Sequence, residues 1–544
     1  MNMLKSIFKS ALPHIIAVAI FAIVAIIYCK PALEGKVLQQ SDITQWKGMA
    51  QDAFSYKEKY GYTPLWSNSM FGGMPAYQTT GVGGFEYSVG WINQLLTLGL
   101  AEPISLFFLA SICFYFLAQV LGFNTIISII GALGYSYATY NPIIVSVGHI
   151  TKMHSIAYLP LFIASLLVLY QKKYLLGGIL TSVATVLLIQ GNHIQIDYYG
   201  VLIAIFMSVY FLIIWIKNKE YTHILKTLGI GLTAGIIGLA VNAPLLLSTY
   251  EYGKESIRGG SKLITKDSKT TSTGLNKDYA LSYSMYKSEP LVLMFPNIYG
   301  GGSDPNAVDP ANSKAIETLQ QMQPQVAQQL QSFLSFYWGG IGFTAGPPYV
   351  GVIICFFALL GFSVKENKHK WWIAATIILS FLLSAGSYLE SFNVFILNNI
   401  PFYNKFRAPS MIMVIPTLRI AATIILSFLL SAGSYLESFN VFILNNIPFY
   451  NKFRAPSMIM VIPTLLLGIM ALYGMAEITT ETSLKNITKK YKLSFILVGI
   501  ILLSVLSIYF TSDFKSDGER NLIEQIAKIP DANQNSRCES KSGF

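Results

Sequence analysis

The sequence predicts an all-α polytopic membrane protein, and three observations carry that reading. Only 12% of the residues are charged while 53% are hydrophobic, against about 25% charged in soluble domains. Apolar runs recur along the chain, and a helix needs about 20 residues to cross the hydrocarbon. The lysines gather in short loops at every second crossing, as retention of positive charge on the cytoplasmic side requires. Those loops account for the net charge of +11, so nucleic acid is not expected as a partner.

Apolar segments fall near 15–28, 103–121, 125–141, 155–170, 175–190, 199–216, 226–248, 348–363, 371–386, 411–433, 456–476 and 493–511. The first reads as a retained helix rather than a signal peptide, because Cys29, Lys30 and Pro31 do not make a small-residue cleavage site. Lys5 and Lys9 precede it. Lys172 and Lys173, then Lys217, Lys219 and Lys226, then Lys365, Lys368 and Lys370 recur on the same side. With the N-terminus cytoplasmic, the 29–102, 142–154, 191–198, 249–347 and 387–410 loops face outside. Cys29, Cys113, Cys355 and Cys538 form no disulfide framework.

The chain divides into an N-terminal transmembrane module, 1–248, whose first outer loop is 29–102, and a long extracytoplasmic loop, 249–347. A C-terminal transmembrane module, 348–511, and a polar tail, 512–544, that reads as truncated complete it. In the first outer loop, Ile43, Trp46, Met49, Ala50, Ala53 and Phe54 recur with helical spacing over Ser41 to Tyr60. Phe85 to Leu100 is a second amphipathic piece, and both suit helices lying at the membrane interface. Between them, Trp66 to Tyr77 is a Gly- and Pro-rich turn. The 249–347 loop is long enough to act as a cap over a bound lipid head group.

Residues 373–418 recur without change as 420–465, giving units 372–418 and 419–465 that differ only at Trp372 and Arg419. Old structural repeats lose identity and keep pattern, so the duplication reads as recent or as an assembly error. It adds one segment, 411–433, with Arg419 near its middle, where a charge costs about 2.5–3.5 kcal/mol. One extra crossing would also carry Lys485, Lys489, Lys490 and Lys492 to the outside. An ancestor with eleven spans is expected.

Candidate chemistry gathers on the outer face. Asp42 stands in an acid-poor neighbourhood beside the first span, with Gln45 and Trp46 next to it. As a helix N-cap its role would be structural; as a base it would accept a proton from an incoming hydroxyl. His149, Lys152 and His154 lie at the entry to one span, and His193, Gln195 and Asp197 beside another. Ionisable groups at such positions are functional candidates. Histidine and aspartate are zinc-binding types, but the spacing of His149 and His154 is too loose for a ligand pair, and no metal ligands are assigned. Arg407 and its copy Arg454 either snorkel to the head groups or clamp an anionic phosphate through paired hydrogen bonds.

Taken together, the stretches Gln39 to Gln45, Trp66 to Pro75, Gly148 to His154, Asn192 to Gln195 and Phe406 to Ser410 resemble the YfhO family of bacterial membrane proteins. The resemblance implies a GT-C-like transmembrane helix bundle with interfacial helices in the first outer loop. It implies a glycosyltransferase of the bacterial inner (cytoplasmic) membrane that moves sugar from a polyprenyl-phosphate donor to a cell-envelope acceptor outside. Asp42 would then activate the acceptor hydroxyl. Arg407 or Arg454, Lys152 and the histidines would hold the departing phosphate, membrane lipids would surround the site, and a divalent metal is left open. Duplication and truncation leave this product with doubtful activity. A transporter or flippase, or a non-catalytic assembly protein that binds lipid-linked sugar, is the alternative. A transporter predicts polar residues in mid-membrane rather than at the outer edge.

Overall fold

The computed structural model describes residues 2–80, 87–259, 279, 281–286, 288–303, 321, 336–341, 343–364, 366–389, 461–480, 487–488 and 490–511. Helix dominates them, with a single two-stranded antiparallel hairpin, β1 (Trp66–Ser67) and β2 (Met74–Pro75), in the segment between the first and second long apolar helices. The expected segment 411–433, Arg407, Arg454 and the tail after 511 lie outside the described residues.

The helices in chain order are α1 (Asn2–Tyr28), α2 (Lys30–Leu33), α3 (Ser41–Tyr60), α4 (Tyr77–Thr80) and α5 (Tyr87–Leu96). There follow α6 (Ile104–Val120), α7 (Thr125–Ser136), α8 (Tyr140–Ser146), α9 (Ile150–Tyr170), α10 (Tyr174–Gln190), α11 (Ile194–Lys217), α12 (Tyr221–Val241) and α13 (Ala243–Lys254). The C-terminal half contributes α14 (Val352–Ser363), α15 (Lys370–Ser384), α16 (Val461–Thr480) and α17 (Lys492–Thr511). Among the described residues four helices are long and apolar enough to cross a membrane: the Lys9–Tyr28 part of α1, and α9, α11 and α12. Shorter apolar helices pack among them, so the molecule is a helical membrane protein.

Two helices form the centre. On α6 nearly every residue from Ile104 to Ala118 is buried, and α9 is buried from Lys152 almost to its end. Neither has the one-sided stripe of a surface helix, because a helix apolar all round belongs inside. The helices α1, α7, α10 and α11 pack around this pair. By contrast α11 and α12 show Val201, Ile205, Val209, Leu232 and Ile236 on the outside, an apolar surface that suits lipid rather than water.

Glycine sets the closest helix crossings. A Cβ on Gly474 of α16 would lie within 1.9 Å of the Phe357 carbonyl oxygen on α14, and one on Gly361 of α14 within 2.1 Å of the Met470 oxygen. The backbones meet where neither residue has a side chain, which is how helices gain packing energy in lipid. Gly177 of α10 approaches the Leu169 backbone of α9 in the same manner.

Two expected spans are divided. The segment 125–141 stops at Ser136, where the Asn141 side-chain amide donates to the Tyr135 and Ser136 carbonyls at 3.0 and 3.2 Å and satisfies groups a helix end leaves open. The segment 226–248 breaks after Val241. Pro244 stands in the first turn of α13, where its missing N–H costs nothing, and the Asn242 amide bonds back to Val186 and Gly238 at the junction. Two other spans begin earlier than hydropathy suggests. Lys152 sits on the first turn of α9 with His154 just beyond it, and Gln195 and Asp197 on the first turn of α11.

Short links of three residues join α9 to α10, α10 to α11 and α11 to α12, so these helices alternate in direction. One end of the bundle holds His149, Gly191 and His193. The opposite end holds Lys172, Lys173, Lys217, Lys219 and Glu220, with Lys172 and Glu220 paired at 2.6 Å.

Candidate functional site

The site is assembled from three links at one end of the bundle. Gly148 lies between α8 and α9 with φ +95°, a conformation that glycine adopts at no steric cost. A Cβ there would meet Ile43 Cγ1 at 2.8 Å and Gln40 Cβ at 3.2 Å. The start of α3 therefore docks directly on this turn, and the Gln40 side-chain amide fastens it by donating to the Val145 carbonyl at 2.5 Å. Two residues further along, Asp42 arrives beside His149, the residue after the glycine.

Asp42 Oδ2 lies 2.7 Å from His149 Nε2. On the other side of the imidazole, Nδ1 lies 2.8 Å from Lys152 Nζ. The carboxylate, the imidazole and the lysine nitrogen thus form a chain running inward from the surface. Asp42 retains half of its side-chain exposure and His149 about a third, whereas Lys152 is 3% exposed. The positive charge of Lys152, followed by burial, pulls the His149 imidazole down to about 4 against the opposing pull of Asp42. At neutral pH His149 is therefore uncharged, and its contact with Asp42 is a hydrogen bond from Nε2–H to a carboxylate rather than an ion pair.

The turn between α10 and α11 brings in His193. Gly191 permits the approach, since a Cβ on it would lie 2.5 Å from Ser155 Oγ and 2.9 Å from Ser155 N on α9. His193 caps α11, its Nδ1 accepting from the Ile196 N–H at 3.4 Å. Burial, then the neighbouring Lys152 and His149, hold it well below its ordinary value. The N-termini of α9 and α11 therefore converge here, and each carries partial positive charge. Asp197 is buried in the first turn of α11 with Ser155 as hydrogen-bond partner. Its Oδ1 and the buried Tyr140 hydroxyl have no hydrogen-bond partner among the described residues.

Other sequence candidates point elsewhere. Trp46 donates from Nε1 to the Thr79 carbonyl at 2.5 Å and stacks edge-on against Phe54, fastening α4 to α3. Gln45 is exposed on the same helix. His154 faces Glu102 at 3.3 Å, and Gln195 donates to the Tyr199 hydroxyl at 2.9 Å. Arg407 and Arg454 lie outside the described residues. Among the described residues no group of three His, Cys, Asp or Glu side chains is placed to hold a metal ion, and Cys29, Cys113 and Cys355 are free thiols.

Sequence reading missed Glu102, because an acid beside a span start carries no distinctive pattern. It also missed Glu289, which is completely buried. The Glu289 carboxylate accepts from the N–H groups of Tyr286 and Gly340 at 2.7 Å, from Ile341 N–H at 3.4 Å and from the Tyr337 hydroxyl. Burial still pushes it up to about 7. Acceptance of several backbone donors makes Glu289 a clamp between two loop segments distant in sequence. Beyond that clamp, Thr139 N–H donates to the Tyr349 carbonyl at 3.0 Å and Tyr349 N–H to Thr139 Oγ1 at 2.8 Å. These bonds fix the second segment to the residues just before α8.

No protein-family model, curated protein or solved structure matches this chain.

Proposed function

We propose that this protein is a membrane glycosyltransferase of the GT-C type, similar to the YfhO family, taking sugar from a polyprenyl-phosphate donor to a cell-envelope acceptor. The observation that carries the reading is the 2.7 Å contact of Asp42 with His149, backed by Lys152 at 2.8 Å. It makes Asp42 a reachable acid in a defined orientation. One oxygen is engaged by His149, and the other is free to accept a proton from an acceptor hydroxyl.

The proposed transfer is a single displacement. The acceptor oxygen forms a bond to the anomeric carbon while the bond from that carbon to the phosphate oxygen breaks. The hydroxyl proton passes to Asp42, and the electron pair leaves with the lipid phosphate. Electrostatic stabilisation of that departing charge is the larger part of the catalytic demand. Lys152 supplies positive charge from below, and the N-termini of α9 and α11 add theirs. Because Lys152 is buried, its role is to set the potential of the site rather than to offer surface. Arg407 or Arg454 is proposed as the phosphate clamp from the duplicated segment. The end of the bundle bearing the lysine-rich links would be cytoplasmic and the Asp42 end extracytoplasmic, in the bacterial inner membrane.

The test is consumption of lipid-linked sugar and labelling of acceptor in membranes carrying the chain with one 47-residue copy removed, comparing native protein with Asp42→Asn. Turnover lost in a variant that still inserts supports the transferase. The N-cap of α3 is Gln40, without a side-chain cap bond, and Asp42 lies inside the first turn; equal turnover would therefore leave Asp42 the structural role of holding α3 against His149, and no turnover in either sample supports a transporter or an assembly protein.

A further inference from the structure

The contact between Lys152 and His149 restricts where protons can sit. Lys152 Nζ and His149 Nδ1 are 2.8 Å apart. An ammonium has donors only, and an imidazolium has a donor at each nitrogen. Two donors cannot face each other at that distance, so the pair carries one proton between its nitrogens and at most a single positive charge. On the far side of the ring, Nε2 faces Asp42 Oδ2, an acceptor when ionised, so Nε2 carries the second ring proton.

Two singly charged arrangements satisfy this geometry. In one, Lys152 is an ammonium donating to Nδ1, and His149 is neutral with its proton on Nε2. In the other, the shared proton has moved from Nζ to Nδ1: one N–H bond breaks and one forms, leaving a neutral amine beside an imidazolium paired with Asp42. The charge then sits one contact nearer the carboxylate and competes with any incoming proton for its lone pairs. The groups facing His149 are Asp42 from α3, Lys152 from α9 and His193 at the start of α11. Asp42 alone among them favours the imidazolium.

We propose that Lys152 is a positioning residue that holds His149 neutral, with its proton fixed on Nε2, so that Asp42 is oriented by a hydrogen bond and kept free to act as a base. Its effect passes through His149, and it does not touch substrate. The same arrangement of acid, imidazole and orienting group serves elsewhere to fix a tautomer, here with the order reversed so that the acid is the outermost group. The inference deepens the transferase reading and rests on it for the role of Asp42, while the protonation pattern can be tested without turnover.

The experiment is nitrogen-15 NMR of the full chain in lipid bilayers, labelled at histidine and assigned with His149→Gln. In the native protein the His149 signals should show a protonated Nε2 and an unprotonated, hydrogen-bonded Nδ1 at neutral pH, without titration until well into the acid range. In Lys152→Met the opposing charge is gone and Asp42 remains, so His149 should take up its second proton at least about tenfold more readily, one pH unit higher by the logarithmic relation. Lys152→Gln keeps an N–H for Nδ1 without the charge; it should retain the Nε2 tautomer with an intermediate titration, and it carries the test where the methionine variant fails to insert. An imidazolium in the native protein at neutral pH, or an unchanged His149 titration in both variants, overturns the proposal. Where turnover is measured, the variants should lower kcat with little change in KM; the predicted NMR pattern without turnover in any form would sink the transferase reading and leave the proton lock standing.

Discussion

Replacing Gly148 by alanine should undock the start of α3 and separate Asp42 from His149. Two costs act together. The backbone at φ +95° is a left-handed conformation that costs an L-residue about 1–2 kcal/mol. The new methyl would stand 2.8 Å from Ile43 Cγ1 and 3.3 Å from the Ile43 nitrogen, and overpacking of this kind costs about 1–3 kcal/mol. Even the lower sum, about 2 kcal/mol, shifts a docking equilibrium roughly thirtyfold. Hydrogen–deuterium exchange across Ser41 to Trp46 reads that shift as faster exchange, with α6 and α9 as internal references. The double variant Gly148→Ala with Ile43→Ala should relieve the 2.8 Å contact with Ile43 Cγ1 and leave the backbone part. If exchange in Gly148→Ala stays at the native rate, the close approach of α3 to this turn is not what positions Asp42, and the reasoning fails.

Glu289→Ala should lower stability by about 3 kcal/mol or more, because it strands the buried Tyr337 hydroxyl and up to three N–H groups; the thermal midpoint in detergent checks it, and a loss as small as a surface substitution gives would refute the clamp. Since Glu289 rises from its ordinary 4.5 to about 7, its contribution is complete below about pH 4.5 and declines as pH rises through 7. Glu289→Gln should flatten that part of the stability profile. His149 acts in the opposite sense: held at about 4 against an ordinary 6.5, its contribution is present above pH 6.5 and is lost as the pH falls through 4, a slope that His149→Gln should remove. Gly474→Leu should force α14 and α16 apart at the Phe357 carbonyl, visible as loss of folded protein from membranes, while Lys172→Gln should leave the midpoint unmoved because exposed ion pairs contribute little.

The class of the protein and the rough position of its helices are legible in the sequence because transfer into lipid depends on local composition, and a run of apolar residues scores the same whatever surrounds it. That logic located α1, α6, α9, α10 and α11, and the spacing of Ile43, Trp46 and Phe54 located α3 in the segment after α1. Helix ends were less visible: the extra turns that place Lys152 and Asp197 inside helices are polar, and only packing against neighbours stabilises them there. The breaks at Ser136 and Val241 depend on side-chain amides reaching carbonyls, which hydropathy does not register.

Which polar residues meet was decided by tertiary structure alone. Asp42, Trp46, His149 and His154 look equivalent as chemistry-bearing residues at the same edge, yet helix rotation sends Asp42 to His149, Trp46 to Thr79 and His154 to Glu102. The pairing of Asp42 with His149 needs α3 to touch a turn more than a hundred residues away, and it is the missing side chain of Gly148 that lets it. Sequence determined that these groups would gather at one end of a helical bundle, since neither water nor lipid accepts them in the middle of an apolar span. The directions of their bonds, and the burial of Lys152 behind His149, follow from contacts between segments far apart in the chain, where local composition carries no information.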